Sequence, residues 1–150
     1  MDLRTELPKL LPLAISWAEA QSREIQLYGF GLPDEVAAVA RSVGVARPDI
    51  VRIASVRALP LPENAELREA ALQTGLLGPN MVGLTLGYGV LVISGHESPR
   101  LLSHELRHVH QYEVAGSIAA YLPVYLSQIV EFGYHDAPFE RDARAHEIAP

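Results

Sequence analysis

The residues with the clearest potential for chemistry form the segment His104-Glu105-Leu106-Arg107-His108, an HExxH motif. If this segment is helical, two histidines four positions apart lie about 40° from each other around the axis, close enough to chelate one metal ion. Zinc takes imidazole ligands readily, and the glutamate between the histidines lies beside them. The segment therefore predicts a zinc site on a helix.

The helix that carries this motif has clear sequence boundaries. Ser98 followed by Pro99 is typical of a helix start, and Gly116 is expected to end the helix just after residue 115. The apolar side chains of this helix share an arc that leaves both motif histidines clear of the core. His110 falls on a third arc and is predicted to point away from the metal. The competing interpretation is an exposed helix whose histidines have no role.

A catalytic zinc needs a third protein ligand besides the two histidines. The candidates lie in the last predicted helix, which begins at Pro138 and runs to about residue 148. Glu140 and Glu147 share one face of this helix, whereas Asp142 lies about 200° from Glu140. Ala143, a small residue three positions after Glu140, would let another helix approach closely, which favours Glu140. The alternative is a solvated, charged end helix without a ligand.

The other elements follow from hydrophobic periodicity and from the Gly and Pro residues that interrupt it. Helices are predicted over residues 6–28, 33–43, 63–74 and 117–132, and a loop over residues 133–137. Strands are predicted over residues 50–59, 81–86 and 90–94, the last two as a β-hairpin. We therefore expect one α+β domain over residues 1–150, with helices packed on a small β-sheet.

Composition excludes several classes of function. The chain has no cysteine, so disulfides, iron–sulfur clusters and thiol nucleophiles are ruled out, and any metal must be held by His, Asp or Glu. Twelve Lys and Arg against 18 Asp and Glu give a net charge of −6, which argues against nucleic-acid binding. No apolar stretch reaches the roughly 20 residues that span a bilayer, and no signal-peptide pattern opens the chain. We therefore expect no membrane association and a cytoplasmic location, and the sequence carries no signal for an oligomeric state.

The motifs together resemble the gluzincin branch of the zincin metallopeptidases. In that branch an HExxH helix supplies two zinc ligands and a glutamate on a later helix supplies the third. The segment from Glu140 to Ala143 is similar to the E-x-x-A of the third-ligand helix, and His104 to Gln111 is similar to the H-E-L-x-H-V-x-Q of small bacterial zincin-like domains. The resemblance covers about residues 89–147.

The resemblance implies a zincin-like fold with zinc held by His104, His108 and Glu140, and Glu105 as general base. Zinc with this ligand set would acidify a water to a pKa of about 7 and polarise the carbonyl that the water attacks. The implied activity is hydrolysis of a peptide or protein substrate, which would lie along an edge strand in the position of residues 90–94.

The resemblance also implies a residue that stabilises the oxyanion, for which the sequence offers Tyr134, His135 and His96. Many gluzincins have an aspartate four residues after the glutamate ligand, which holds a ligand histidine. Here that position is Arg144, so Asp136 and Glu147 are the alternatives for this role.

Two other functions compete with the peptidase. One is a regulatory or protein-interaction module that binds zinc without turnover, and the other is a purely structural domain that binds no metal.

Overall fold

The structure is a computed structural model that describes residues 1–149. Within these residues it contains six helices and a four-stranded mixed sheet, and the architecture is α+β. The helices are α1 (Leu3–Tyr28), α2 (Asp34–Ser42), α3 (Ala65–Gln73), α4 (Pro99–Ala115), α5 (Ile118–Phe132) and α6 (Pro138–Ala145). The strands are β1 (Phe30–Gly31), β2 (Arg52–Val56), β3 (Gly83–Leu86) and β4 (Gly89–Ile93), and a 3-10 turn spans Pro48–Ile50.

The strands are arranged in the order β1-β2-β4-β3, so β3 forms one edge of the sheet. β2 runs parallel to β4, whereas the pairs β1 with β2 and β3 with β4 are antiparallel. The expectation that residues 90–94 form the edge strand is therefore wrong, because β2 pairs with the outer side of β4. β3, the first strand of the predicted hairpin, is the edge strand beside β4 instead, and three of its four residues are buried.

Both faces of the sheet are covered by helices. Side chains alternate between the two faces along a strand, and β4 shows this directly. Val90 and Val92 pack with Leu106 of α4, whereas Leu91 packs with Ile25 of α1. All these side chains are almost fully buried, so the strand is anchored from both sides. Among the helices of residues 1–149, none is both long enough and apolar enough to cross a membrane.

Helix α4 forms as its sequence predicts. The Ser98 side chain accepts a hydrogen bond of 3.1 Å from the main-chain N–H of Leu101, Pro99 occupies the first turn, and Gly116 ends the helix with a φ of 100°. Glycine adopts this left-handed conformation at little cost in free energy because it has no Cβ atom, which explains why the helix ends there. The motif histidines therefore lie on a helix with both ends fixed.

Several predicted boundaries were wrong. α1 begins at Leu3 because Asp2 caps it, accepting a 3.1 Å hydrogen bond from the main-chain N–H of Arg4. The strand predicted over residues 50–59 is shorter. Ile50 belongs to a 3-10 turn, and the strand runs only from Arg52 to Val56. The two-residue strand β1 was not predicted, because two residues carry no alternation that could reveal it. α6 ends at Ala145 instead of near residue 148, which changes the position of Glu147.

Candidate metal centre

Helices α4 and α6 bring together the three side chains that the sequence proposed as metal ligands. His104, His108 and Glu140 each offer a ligand atom, and these atoms all lie within 4.8 Å of one another. Nε2 of His104 lies 3.1 Å from one Glu140 carboxylate oxygen, and Nε2 of His108 lies 3.1 Å from the other. Ala143 is fully buried, as expected for the small residue that lets the two helices approach.

Gln111 determines which nitrogen of His108 faces the ligand cluster. Its Nε2 donates hydrogen bonds of 2.9 Å to the Phe139 carbonyl and to a carboxylate oxygen of Asp142. Both of those partners can only accept, so the amide oxygen must be the atom 2.8 Å from Nδ1 of His108. Nδ1 therefore carries the proton and Nε2 is the nitrogen available to a metal.

Glu147 has the same role for His104. The Nδ1–H of His104 donates to Glu147 over 2.8 Å. Glu147 reaches this position because α6 ends two residues earlier and the chain turns back, where the main-chain N–H of Ile148 donates a 3.0 Å hydrogen bond to the Ser103 hydroxyl. Of the two alternatives offered for this role, Glu147 makes the contact, whereas Asp136 is exposed and accepts instead from His135.

Sequence reasoning assigned no role to three residues of this network, Gln111, Tyr121 and Tyr125. The Tyr125 hydroxyl donates a 2.6 Å hydrogen bond to Glu140, and the Tyr121 hydroxyl donates a 2.8 Å bond to the amide oxygen of Gln111. A signal was available, because two tyrosines four positions apart on an apolar helix share a face and buried hydroxyls require partners.

The electrostatics of the metal-free cluster suit a cation. Burial opposes a charge on His104, but its hydrogen bond to Glu140 and the nearby carboxylates outweigh that effect and raise its pKa to about 9. Burial likewise opposes a charge on His108, but its hydrogen bond to Glu140 and the charge of that carboxylate outweigh burial and raise its pKa. Burial also opposes a charge on Glu140, yet the hydrogen bonds from both histidines hold its pKa well below the usual range. Without metal, a His104 imidazolium thus faces one buried carboxylate that keeps its charge.

These residues fit a divalent cation. Both Nε2 atoms face the Glu140 carboxylate at 3.1 Å, so a cation between them would meet two nitrogen donors and one negative charge. Two imidazole nitrogens and one carboxylate are a donor set that zinc accepts, with a fourth position left open. Hydrogen bonds from the far side of each ring hold the histidines in the orientation that a metal requires.

Glu105 lies on α4 between the two histidines and packs against the edge strand β3. It is 5% exposed, and the Thr85 hydroxyl donates a 2.8 Å hydrogen bond to one of its carboxylate oxygens. A Cβ atom built on Gly83 would lie 2.9 Å from the other carboxylate oxygen, so only glycine leaves this space free. The Thr85 hydroxyl therefore holds the Glu105 carboxylate beside the cluster, and the absence of a side chain at Gly83 leaves room for it.

The residues proposed to stabilise an oxyanion lie in different surroundings. Tyr134 is partly buried and contacts Glu140, and burial together with that carboxylate raises the pKa of its hydroxyl well above the usual value. The side chain of His135 is 82% exposed and lies 3.2 Å from Asp136. His96 is also exposed. Of the three, Tyr134 is the one that the structure places against the ligand cluster.

Two further residues lie where helix geometry predicted. Asp142 faces away from the ligand cluster and accepts hydrogen bonds of 2.8 Å and 3.2 Å from the guanidinium of Arg107. Nδ1 of His110 donates a 2.9 Å hydrogen bond to the Gly44 carbonyl, on the α2 side of α4. Neither residue belongs to the candidate metal centre, although Asp142 supports it through Gln111.

An apolar cavity of about 140 Å³ adjoins the cluster. Its wall comes mainly from apolar side chains of α1, α3 and α5 and from strand β3. Glu105, His108, Tyr134 and Glu140 also belong to the wall, so a group inside the cavity would lie next to the candidate metal centre. Comparisons of the chain with known protein families, curated proteins and solved structures found no match.

Proposed function

We propose that this protein is a zinc-dependent hydrolase of peptide bonds with a gluzincin-like site in a zincin-like fold. The observation that carries the proposal is the convergence of His104, His108 and Glu140 within 4.8 Å, with the buried Glu105 carboxylate beside them at the wall of a cavity. Zinc in this site would polarise the scissile carbonyl and lower the pKa of a water toward 7.

The protein's own residues then have separate roles. Glu105 takes a proton from the attacking water and delivers it to the amine that leaves, while the water oxygen joins the carbonyl carbon and the C–N bond breaks. Tyr134 is protonated at neutral pH, as an ordinary tyrosine is, and its raised pKa keeps it so at more alkaline pH, so it is able to donate a hydrogen bond to the developing oxyanion. Gln111 and Glu147 hold the two histidines with Nε2 toward the cluster. We assign no role to His135, which lies at the surface.

The edge of β3 that pairs with no other strand lies at the wall of the cavity, and Gly83 and Thr85 are buried there. The main-chain N–H of Ile93 donates to the Val82 carbonyl. In an antiparallel pair every second residue bonds to the partner strand, so Leu84 and Leu86 bond to β4. Gly83 and Thr85 therefore direct their main-chain groups away from β4. The Thr85 carbonyl already accepts a 3.2 Å hydrogen bond from the Tyr112 hydroxyl. Gly83 is therefore the position at which the main chain of a substrate that enters the cavity would pair with this edge.

The test combines metal analysis with hydrolysis of a fluorogenic peptide library. Purified protein should hold about one equivalent of zinc, and His104→Ala or His108→Ala should lose it. Glu105→Gln should keep the zinc but lose hydrolysis, because its amide oxygen still accepts from the Thr85 hydroxyl and only the base is removed.

Glu69→Gln is the matched control, since Glu69 is exposed on α3. Zinc in either histidine variant at the wild-type level would refute the ligand assignment, and undiminished hydrolysis by Glu105→Gln would refute the mechanism. A wild-type protein that holds zinc but cleaves no member of the library would favour a zinc-binding module without turnover.

A further inference from the structure

The cavity beside the candidate metal centre is long compared with its volume. Leu3 and Ala18 of α1 both line it. These residues are fifteen positions apart in the helix, which corresponds to about 22 Å along its axis. A compact apolar cavity of roughly 150 Å³ holds one benzene ring. The cavity here has a similar volume of about 140 Å³, but its walls extend along several turns of helix. It therefore has the proportions of a passage for a single chain of atoms.

Away from Glu105, His108, Tyr134 and Glu140, the wall offers almost no polar side chain to an occupant. The hydroxyl of Thr74 donates to the Ala70 carbonyl of its own helix over 2.9 Å, and that of Tyr112 donates to Thr85. The hydroxyls of Tyr121 and Tyr125 donate to Gln111 and Glu140. Within residues 1–149, no buried side-chain polar atom lacks a hydrogen-bond partner. A polar ligand would gain no new partner from these side chains, whereas an apolar one would lose only its contact with water.

We propose that the cavity binds an unbranched aliphatic chain attached to the amide that is hydrolysed. Glu105, His108 and Glu140 belong to the same wall, so a chain in the cavity would hold its attached amide next to the general base. The cleavage step rests on the proposed function, whereas binding of the chain does not. The substrate class is thus an aliphatic acyl or alkyl amide, with the chain supplying the binding energy.

Trp17 makes the binding measurable without turnover. It is the single tryptophan of the chain, and its side chain lines the cavity. Titrating the protein with 1-butanol, 1-hexanol and 1-octanol should change the Trp17 fluorescence, with an affinity that rises about fourfold for each added methylene. Benzyl alcohol should bind more weakly than 1-hexanol, because a ring is wider than a chain.

A variant that fills the cavity provides the structural control. Ala71 lines the cavity from α3, whereas Ala65 on the same helix is exposed and does not line it. Ala71→Phe should weaken 1-octanol binding at least tenfold, and Ala65→Phe should leave it unchanged. If Ala71→Phe does not fold, the wild-type protein still decides the matter, because a bound alcohol must raise its unfolding temperature in the same order of chain length.

Hydrolysis of octanoyl and acetyl p-nitroanilide separates this inference from the proposed function. A preference for the octanoyl compound would support both proposals. Octanol binding without hydrolysis of either compound would support the aliphatic site and count against the hydrolase. The aliphatic site would be overturned if both compounds were hydrolysed at equal rates and alcohol binding did not depend on chain length. Tighter binding of benzyl alcohol than of 1-hexanol would also overturn it.

Discussion

Gly83→Ala should disturb the candidate general base without touching a metal ligand. The added Cβ would lie 2.9 Å from a carboxylate oxygen of Glu105 and 3.0 Å from its Cγ and Cδ atoms. Ordinary contacts of a Cβ begin near 3.4 Å, so the Glu105 side chain would have to retreat by about 0.5 Å. It has little room to do so, because it is 5% exposed and its other oxygen is bound to the Thr85 hydroxyl.

The size of the effect follows from this displacement. A misplacement of about 1 Å in a catalytic site costs roughly 100-fold in rate, so about 0.5 Å should cost on the order of tenfold in kcat. Overpacking of a well-filled interior costs about 1–3 kcal/mol of unfolding free energy. For a chain of this length, that corresponds to a fall in Tm of roughly 3–10 °C. Zinc content should stay at the wild-type level, since the Gly83 Cβ would not meet a ligand side chain among its nearest atoms.

Gly78→Ala is the matched control. A Cβ on Gly78 would meet only backbone atoms of Gly75, at ordinary distances of 3.6–3.9 Å. This variant should be as stable as wild type or more stable by up to about 1 kcal/mol. Thermal unfolding, zinc content and hydrolysis rate are measured for both variants side by side. A Gly83→Ala protein with the Tm and rate of Gly78→Ala would refute the role assigned to this glycine.

The remaining predictions concern the ligand cluster. Glu140→Ala should weaken zinc binding by at least 10–100-fold, because it removes a ligand. Asp142→Ala should weaken it less, since Asp142 acts only through Gln111. Both affinities are measured by competition with a zinc chelator, and a larger loss in Asp142→Ala would contradict this ranking. Gln111→Leu removes the acceptor of a ligand histidine's Nδ1 proton and should reduce zinc affinity about 10–100-fold without abolishing folding, as titration and circular dichroism will show. Zinc affinity should rise by about 50-fold between pH 7 and pH 9 through His104 alone, because its pKa is about 9 without metal and only the deprotonated ring binds. Calorimetry in two buffers that detects no released proton at pH 7 would refute this. Tyr134→Phe should lower kcat roughly 100-fold or more with zinc retained, and an unchanged kcat would remove the tyrosine from the mechanism.

The order of the helices and strands could be predicted largely from the sequence, because it depends on local signals. Ser98, Pro99 and Gly116 set the ends of α4 through hydrogen bonds and dihedral angles within a few residues. The placement of His104 and His108 on one side of that helix follows from 3.6 residues per turn, whatever the helix packs against. The sequence alone therefore determined the two-histidine half of the candidate site. Helix phase separated Glu140 from Asp142, and the small residue Ala143 favoured Glu140.

Only the tertiary structure decided which distant groups complete the site. Gln111 and Tyr125 gained their roles because α5 and α6 pack against α4 at particular depths, which no local pattern encodes. Glu147 meets His104 because α6 ends at Ala145 and the chain turns back, which the periodicity of a continuous helix does not show. The edge position of β3 likewise depended on β2 pairing with β4 across more than thirty residues of chain. Helix phase is set by backbone geometry within one turn, whereas these contacts are set by how the apolar faces of separate elements fit together.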